Sequence, residues 1–370
     1  MPLRSLVATL TAGLAAATTF AAAGPVHADS ARSHACSSSV SIEAYSDALD
    51  KTTYAGTFVG NLSGLAVDRG GSLLAVSDRS SLFALDGRTL RPRGVVPLAT
   101  ETGAALDSEG LAVDRDGTRL VTSETEPSVR RYDRQGRLLG GLPVPDALKV
   151  APAGRAVANQ TFEGLTLLPG GRTLLASMEG SLSGDTAGVV RFQTWQRHGG
   201  ARDFGLSAQY GYRADTGLGV VEVAGLPGGR LLVLERGFTA GVGNTVRLYA
   251  ADTRRATDTS GVDVLTGQDG DGVRLVRKTL LADLVHCPSL GATAKQPQPN
   301  PLLDNIEGMA VTGRQRQQHE GQQHEGRGPG RGSVPGRGSV PGWLDVVLVS
   351  DDNQNAVQTT RFYFLRVRAA

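Results

Sequence analysis

Short apolar runs recur along the chain in pairs, and a glycine-containing turn separates the two members of each pair. Residues 63–78 show the pattern first, with Gly70 and Gly71 in the turn, and residues 109–124 repeat it almost position by position. Two apolar runs of strand length around such a turn are typical of a β-hairpin. Helical periodicity is scarce, so the pattern favours an all-β protein.

The hairpin pattern occurs five times in the sequence. The first four copies start at residues 63, 109, 163 and 222, which are 46, 54 and 59 residues apart. The fifth copy is split into residues 307–311 and 344–351. This spacing suits the four-stranded blades of a β-propeller, with two inner strands from each copy. The outer strands would come from residues 82–85, 129–132, 189–193 and 246–249.

The sequence therefore predicts an all-β fold, a β-propeller of five to six four-stranded blades. Residues 39–45 and 361–367 both alternate apolar and polar positions, and we expect them to close the ring as a sixth blade. The alternative architecture is an open β-solenoid, in which the repeats stack without closing into a ring.

A low-complexity segment at about residues 314–342 interrupts the fifth copy. It is rich in Gln, Gly and Arg and cannot bury a core, so we expect a disordered insertion. His319 and His324 lie within it and would suit metal binding, but the composition favours a solvated loop.

The first 28 residues have the layout of a secretory signal peptide. Arg4 precedes an apolar, alanine-rich stretch, and small residues lead up to Ala28. This layout predicts export and cleavage after about Ala28, leaving residues 29–370 as one extracellular propeller domain, with an uncleaved anchor as the alternative. Exported proteins meet an oxidising environment, so we expect Cys36 and Cys287 to form a disulfide, with two unpaired thiols as the alternative.

Charge excludes some classes of partner. The chain has 38 basic and 36 acidic residues, a formal net charge of +2 and no basic run interleaved with aromatic residues, which argues against nucleic-acid binding. No segment after the signal peptide has the length and apolar character of a membrane span. We expect a monomer that binds a small molecule.

The most informative polar position is the glutamate that opens the repeat, because three copies share it as Glu109, Glu163 and Glu307. Equivalent residues of inner strands face a common central channel in a propeller. Like charges held together there must raise their pKa values or hold a cation. Oxygen ligands in an exported protein favour calcium. The alternative is that each glutamate accepts backbone hydrogen bonds and is structural.

Two copies depart from this pattern, and a second group of acids ends the repeat. Ser63 replaces the acid in the first copy, and Glu222 is one residue out of place, which would turn its side chain to the other face of the strand. The acids at the end of the repeat fall where a propeller gathers its loops, and they are either ligands or solvated loop acids. They are Asp78, Glu124, Glu179, Glu235, Asp351 and Asp352.

The repeat, together with residues 304–309 and 348–353, resembles the phytase-like family, also called "esterase-like activity of phytase". The resemblance runs from about Tyr54 to the C-terminus, outside the insertion. It implies a propeller and, more loosely, a phosphoester hydrolase. In the related propeller phytases, calcium ions and acidic residues hold phosphate and activate water. The ligand positions implied here are Glu109, Glu163 and Glu307, with Asp351, Asp352 and Asn353 beside them.

Phosphate chemistry also needs cations to bind the anion, and the sequence offers Arg79, Arg236 and Lys278 without a Lys/Arg cluster. Two hypotheses follow. The first is a secreted, calcium-dependent hydrolase of phosphoesters or carboxyesters, whose ligand is a small and possibly phosphorylated molecule. The second is a non-catalytic propeller that binds a ligand, an envelope component or a protein partner, since the fold does not choose between them.

Overall fold

The computed structural model describes residues 34–198, 201–268, 270–314 and 342–369. The expected signal peptide, residues 1–28, lies outside the described residues, as does almost all of the expected insertion. The described residues form strands and two short 3₁₀ helices. The first eleven strands are β1 (Val40–Ser46), β2 (Thr52–Tyr54), β3 (Thr57–Val59), β4 (Leu62–Val67), β5 (Leu73–Ser77), β6 (Ser81–Leu85), β7 (Pro92–Pro97), β8 (Ser108–Val113), β9 (Arg119–Ser123), β10 (Ser128–Tyr132) and β11 (Leu138–Gly141). The remaining strands are β12 (Phe162–Leu167), β13 (Thr173–Met178), β14 (Val189–Gln196), β15 (Gly205–Arg213), β16 (Gly219–Leu226), β17 (Arg230–Thr239), β18 (Gly243–Asp252), β19 (Arg277–Asp283), β20 (Ile306–Arg314), β21 (Leu344–Ser350) and β22 (Phe362–Val367). The 3₁₀ helices are Asp146–Leu148 and Leu284–His286.

Five four-stranded antiparallel sheets form the blades. Strands β4–β7, β8–β11, β12–β15 and β16–β19 make the first four blades, each with its first strand innermost, and β2 and β3 form a separate hairpin. The innermost strands contact one another in the order β4, β8, β12, β16, β20 and back to β4. The ring is therefore closed, and the structure is a β-propeller rather than a solenoid.

The fifth blade combines the two ends of the described chain. Its order is β20, β21, β22 and β1 from the inside outward, and β1 pairs antiparallel with β22 from Val40 opposite Val367 to Ser46 opposite Phe362. The expectation of a sixth blade from these segments is wrong. They pair with each other as expected, but the fifth hairpin needs two outer strands and takes both of them.

A disulfide between Cys36 and Cys287 stabilises this closure. It links the segment before β1 to the segment that follows β19 of the fourth blade. The bond spans 251 residues, and in the chain-entropy model a loop of that length stabilises the fold by about 5 kcal/mol. The pairing predicted from the sequence is confirmed.

Each blade packs both of its faces against neighbouring blades, which explains why the inner strands are continuous apolar runs. All residues of β5 and β9 are buried. Phe162 and Trp195 pack edge to face, with 5.9 Å between ring centroids, in the core that the second and third blades share. The third strands of the first four blades, β6, β10, β14 and β18, include the outer-strand segments predicted from the sequence.

Glycines let the inner strands approach closely at the channel. A β-carbon on Gly64 would lie 2.2 Å from the carbonyl oxygen of Glu109, and one on Gly110 would lie 2.3 Å from that of Glu163. Such distances exclude a side chain in this orientation. The glycine after the first acid of the repeat is therefore a packing requirement of the ring.

Candidate functional site

Strand register places one residue of each blade at an equivalent position of the channel wall. In the second blade Ser108 pairs with Ser123, and Glu109 follows; in the fourth blade Val220 pairs with Glu235, and Val221 follows. The same comparison holds for the other blades. We call these residues the inner ring: Ser63, Glu109, Glu163, Val221 and Glu307.

A second set of equivalent residues comes directly after the second strand in four of the blades and lies within the longer second strand, β17, in the fourth. The backbone N–H of Glu124 donates to the carbonyl oxygen of Asp107 at 3.0 Å, and Asp78, Glu179 and Asp351 make the corresponding bond in their own blades. In the fourth blade this place belongs to Arg236, which pairs with Gly219. We call this set the outer ring: Asp78, Glu124, Glu179, Arg236 and Asp351.

The two rings bring carboxylates of the second and third blades together. Oxygens of Asp107, Glu109 and Glu124 lie within 4.8 Å of one another, and so do oxygens of Glu124, Glu163 and Glu179. We call these five residues the acid cluster, and Glu124 belongs to both triplets. Three of the five were expected as ligand candidates, and Glu179 was recognised at the end of its repeat.

Asp107 was missed by the sequence analysis because it precedes the repeat. Its carbonyl is the acceptor that holds Glu124, and Asn61 and Asn305 have the same role toward Asp78 and Asp351. Extending the alignment of the repeats by two residues toward the N-terminus would have revealed this shared polar position.

Burial and mutual repulsion make the acid cluster costly when it is fully ionised. Burial raises the pKa of Glu163 well above its usual range, and the charges of Glu109 and Glu179 raise it further. Burial likewise raises the pKa of Glu109 well above normal, and that of Glu124 to about 7. The cluster therefore carries protons near neutral pH unless a cation compensates its charge.

The opposite side of the rings also contains acids, but the guanidinium group of Arg236 contacts one of them, Glu307. Burial raises the pKa of Glu307 to about 6, and Arg236 opposes this shift with its Nη2 3.0 Å from Glu307 Oε1. Burial also raises the pKa of Asp78 to about 6 and that of Asp351 well above normal. Arg79 lies 3.5 Å from Asp78, but its side chain is 66% exposed.

One buried oxygen of the acid cluster has no hydrogen-bond donor among the described residues. It is Oε1 of Glu124, the residue that both triplets share, and the residue is only 8% exposed. A buried acceptor without a donor is costly in a folded protein. A set of carboxylate oxygens with such an atom at its centre fits a hard divalent cation.

Glu222 lies apart from the acid cluster, at the position where the other four blades have glycine. Its Oε1 accepts the backbone N–H groups of Leu165 at 3.1 Å and Val223 at 2.9 Å. The N–H groups of Leu65 and Met309 also stabilise its charge, although burial raises its pKa well above normal. The carboxylate therefore accepts hydrogen bonds from two inner strands, β12 and β16, while its Oε2 has no hydrogen-bond partner among the described residues. The one-residue offset seen in the sequence is the reason for this position.

The remaining candidates have structural partners. Asp352 contacts Lys51 Nζ at 2.5 Å and accepts the backbone N–H of Asn61 at 3.0 Å. Asn353 is exposed in the turn after Asp351 and donates its backbone N–H to that carboxylate. Glu235 accepts from Tyr212 Oη and Lys278 Nζ, both at 2.6 Å, so neither Glu235 nor Lys278 is available to a ligand in the channel.

A cavity of about 490 Å³ adjoins the acid cluster. Glu179 lines it, together with loop residues of the third and fourth blades that include Gln160, Asp215 and Gly219. A small molecule in this cavity would be in contact with one carboxylate of the cluster.

The fold and the rings define a five-bladed β-propeller with an acid-lined channel. The chain belongs to the phytase-like family, described as "esterase-like activity of phytase", whose sequence model matches residues 57–321. Within the described residues, no helix is long and apolar enough to cross a bilayer.

Comparison with individual proteins adds a curated relative and fold neighbours. An "Uncharacterized secreted protein" of Arthroderma benhamiae is 30% identical over 118 residues, which cover 25% of this chain and 23% of the relative. Glutaminyl cyclase of Myxococcus xanthus aligns with 90% of this chain and 97% of its own, at 10% identity and a TM-score of 0.41. The WD40 repeats of RRP9 align with 56% of this chain and 52% of their own, at 12% identity and a TM-score of 0.33.

Proposed function

We propose that the protein is an exported hydrolase of phosphoesters or carboxyesters. Its activity would depend on a divalent cation, with calcium as the preferred ion, bound by the acid cluster. The observation that carries the proposal is the pair of carboxylate triplets that share Glu124. The family supports it, since the sequence model is named for an esterase-like activity of phytase.

Charge balance supports a cation at this place. The acid cluster contains five carboxylates. The salt bridge of Arg236 is made to Glu307, and its charge also opposes the rise that burial causes in the pKa of Glu179, but one positive charge does not balance five carboxylates. Asp107, Glu109 and Glu124 would hold one cation, and Glu124, Glu163 and Glu179 a second. When bound, a divalent cation polarises an ester oxygen and lowers the pKa of a bound water.

Other residues of the site would orient the substrate, accept a proton and hold the rest of the bound molecule. Arg236 would orient the anionic group of the substrate, because it is the outer-ring residue with positive charge. Glu307, with its pKa raised to about 6, would accept a proton near neutral pH. The cavity beside Glu179 would hold the rest of a small substrate.

A non-catalytic, ligand-binding propeller is the second candidate function. Arg236 is the one basic residue among the ten positions of the inner and outer rings, and this scarcity of positive charge supports the second candidate. A site that handles a highly phosphorylated substrate is expected to offer more donors. In this case the cation would fix the loops that bind a ligand, an envelope component or a protein partner.

We further propose that the protein acts outside the cell as a monomer. The disulfide and the description of the relative as secreted both support an oxidising, extracellular environment. The signal peptide and the cleavage after about Ala28 stay predictions.

Metal analysis and turnover assays on the purified protein test the proposal. Turnover of p-nitrophenyl phosphate, phytate and p-nitrophenyl acetate is measured with calcium and with chelator, for the wild type and for Glu124→Gln. The matched control is Glu43→Gln, an exposed acid on β1. We expect bound calcium, chelator-sensitive turnover and loss of both in Glu124→Gln alone. Calcium binding without turnover would favour the binding propeller, and absence of both would refute the cation site.

A further inference from the structure

A second cavity lies away from the channel, between the outer strands of the third and fourth blades. Its volume is about 710 Å³, and it lies where β15 ends, where β18 ends and where β19 begins. Four arginines line it, and we call it the arginine pocket: Arg213, Arg255, Arg274 and Arg277.

Within the described part of the chain, none of the four guanidinium groups forms a salt bridge with a carboxylate, although the charge of Arg277 helps to lower the pKa of Asp252, which lies opposite it on β18. Arg213 Nη2 donates to the carbonyl oxygen of Gly267 at 2.6 Å, and Arg274 Nε donates to that of Arg255 at 3.0 Å. These bonds hold two of the side chains in place without neutralising their charge. Arg255 and Arg277 are exposed.

The acid of the pocket is already neutralised. Asp252 lines the same cavity, but Arg254 Nη2 contacts its Oδ2 at 2.6 Å. Hydrogen bonds from Arg254 are the main reason that the pKa of Asp252 is lowered to about 2. Nearby, Asp271 accepts the hydroxyl of Thr266 at 2.5 Å. Arg254 offsets Asp252, but the hydroxyl of Thr266 leaves the charge of Asp271 in place. The pocket and its described surroundings therefore keep an excess of about three positive charges, in a chain whose formal net charge is +2.

The chemistry of the pocket selects the class of ligand. Guanidinium groups bind phosphate and sulfate oxygens through paired N–H donors, and several of them around one cavity favour multiply charged anions. A cavity of this volume is within the range of small-molecule sites and is much larger than one phosphate or sulfate ion.

We infer that the arginine pocket binds a polyanion that carries two or more phosphate or sulfate groups. This site is distinct from the acid cluster, which has the opposite charge and would hold a cation. Arg213 also lines the 490 Å³ cavity beside Glu179, so the two cavities are neighbours. The inference does not depend on catalysis in the channel.

Calorimetric titration with inorganic triphosphate tests the inference, in the presence of chelator so that cations in the channel do not contribute. The test variant is Arg255→Gln/Arg277→Gln, and the matched control is Arg88→Gln/Arg91→Gln, two exposed arginines at the turn between β6 and β7. We expect binding by the wild type that weakens at least 10-fold in the test variant and less than 2-fold in the control. Melting temperatures of all three proteins show whether the variants fold.

The salt dependence and a second ligand complete the experiment. Affinity should fall steeply as salt is raised, because the interaction is between charges. Long-chain polyphosphate and a sulfated oligosaccharide, titrated in the same way, distinguish a phosphate-specific site from one that accepts either anion and show whether a polymer is held. Absence of triphosphate binding, or equal weakening in the test and control variants, would overturn the inference.

Discussion

The fourth blade and the other four blades build the channel from different residues. The other four place Ser63, Glu109, Glu163 and Glu307 on the inner ring, each followed by glycine, and acids on the outer ring. The fourth blade has Val221 on the inner ring and Glu222 at the next position, where the others have glycine, although its strands pair in the same register as theirs. The difference shows that the fourth blade lacks the shared inner-ring acid and instead contributes one positive charge and one carboxylate at other positions of the acidic channel.

Two residues of the fourth blade make this contribution. Arg236 places positive charge on the outer ring, where the other blades have carboxylates, and Glu222 places a carboxylate where they have glycine. If these residues act in this way, removing them and altering the glycines and acids of the other blades should change stability by different amounts.

Introducing a side chain at a glycine of the ring should have the largest effect. In Gly110→Ala the new β-carbon would lie 2.3 Å from the carbonyl oxygen of Glu163, so the inner strands must separate. We expect the free energy of unfolding to fall by about 3 kcal/mol or more, measured by urea denaturation. The control is Gly141→Ala on β11, whose β-carbon would have its nearest neighbour at 3.6 Å. Equal stability of the two variants would contradict the packing requirement.

In protein freed of metal, stability should depend on pH, and this effect should be nearly as large as that of Gly110→Ala. The folded-state pKa values of Asp78, Glu124 and Glu307 are raised to about 6, 7 and 6, above the unfolded values of 3.8, 4.5 and 4.5. Stabilisation by protons is therefore complete below about pH 4 and is lost as the pH rises through about 6 to 7. Melting temperatures between pH 4.5 and 7.5 with chelator should fall, and calcium should remove most of the fall. A profile that is flat in chelator would show that the acids are not coupled to folding.

Removing the carboxylate of Glu222 should have a moderate effect. Glu222→Ala leaves the buried N–H groups of Leu165 and Val223 without an acceptor, and we expect a loss of about 2 kcal/mol in the free energy of unfolding. Glu222→Gln keeps an acceptor oxygen and should lose less, because the buried carboxyl already has a raised pKa. The prediction fails if the alanine variant is as stable as the glutamine variant.

Removing the positive side chain of the outer ring, Arg236, should have the smallest effect. Arg236→Gln leaves Glu307 without its salt bridge, so the pKa of Glu307 should rise further above about 6 and stability at pH 7 should fall by about 1–2 kcal/mol. Adding Glu307→Gln should restore most of this loss, whereas Arg79→Gln, at an exposed arginine, should cost little. Lack of restoration in the double variant would show that Arg236 stabilises the channel by another route.

The sequence was sufficient to predict elements whose signal is local. The repeated hairpin identified the inner strands of all five blades, and the export layout led to the disulfide between Cys36 and Cys287. The repeat also led to the expectation that equivalent acids face a common channel, and in the structure the charge of Glu109 raises the pKa of Glu163.

The remaining features depend on contacts that are distant in sequence. The pairing of β1 with β22 decides between five and six blades, and nothing in either segment specifies its partner. The network that occupies Glu235 and Lys278 and the salt bridge of Asp352 with Lys51 arise from residues outside the repeat. Asp107 was missed for a different reason, because it lies two residues before the repeat, where Asn61 and Asn305 have the same role in their blades.

The way in which the fifth blade is assembled has a consequence for how the protein matures. A chain that is released from its N-terminus onward leaves β1 without its partner until β22 has emerged, so the ring cannot close before nearly all of the chain is available. Cys36 lies just before β1, and its thiol stays free for as long as its partner is out of reach. Loss of the two free thiols on the maturing chain therefore reports the joining of the segment before β1 to the segment after the fourth blade.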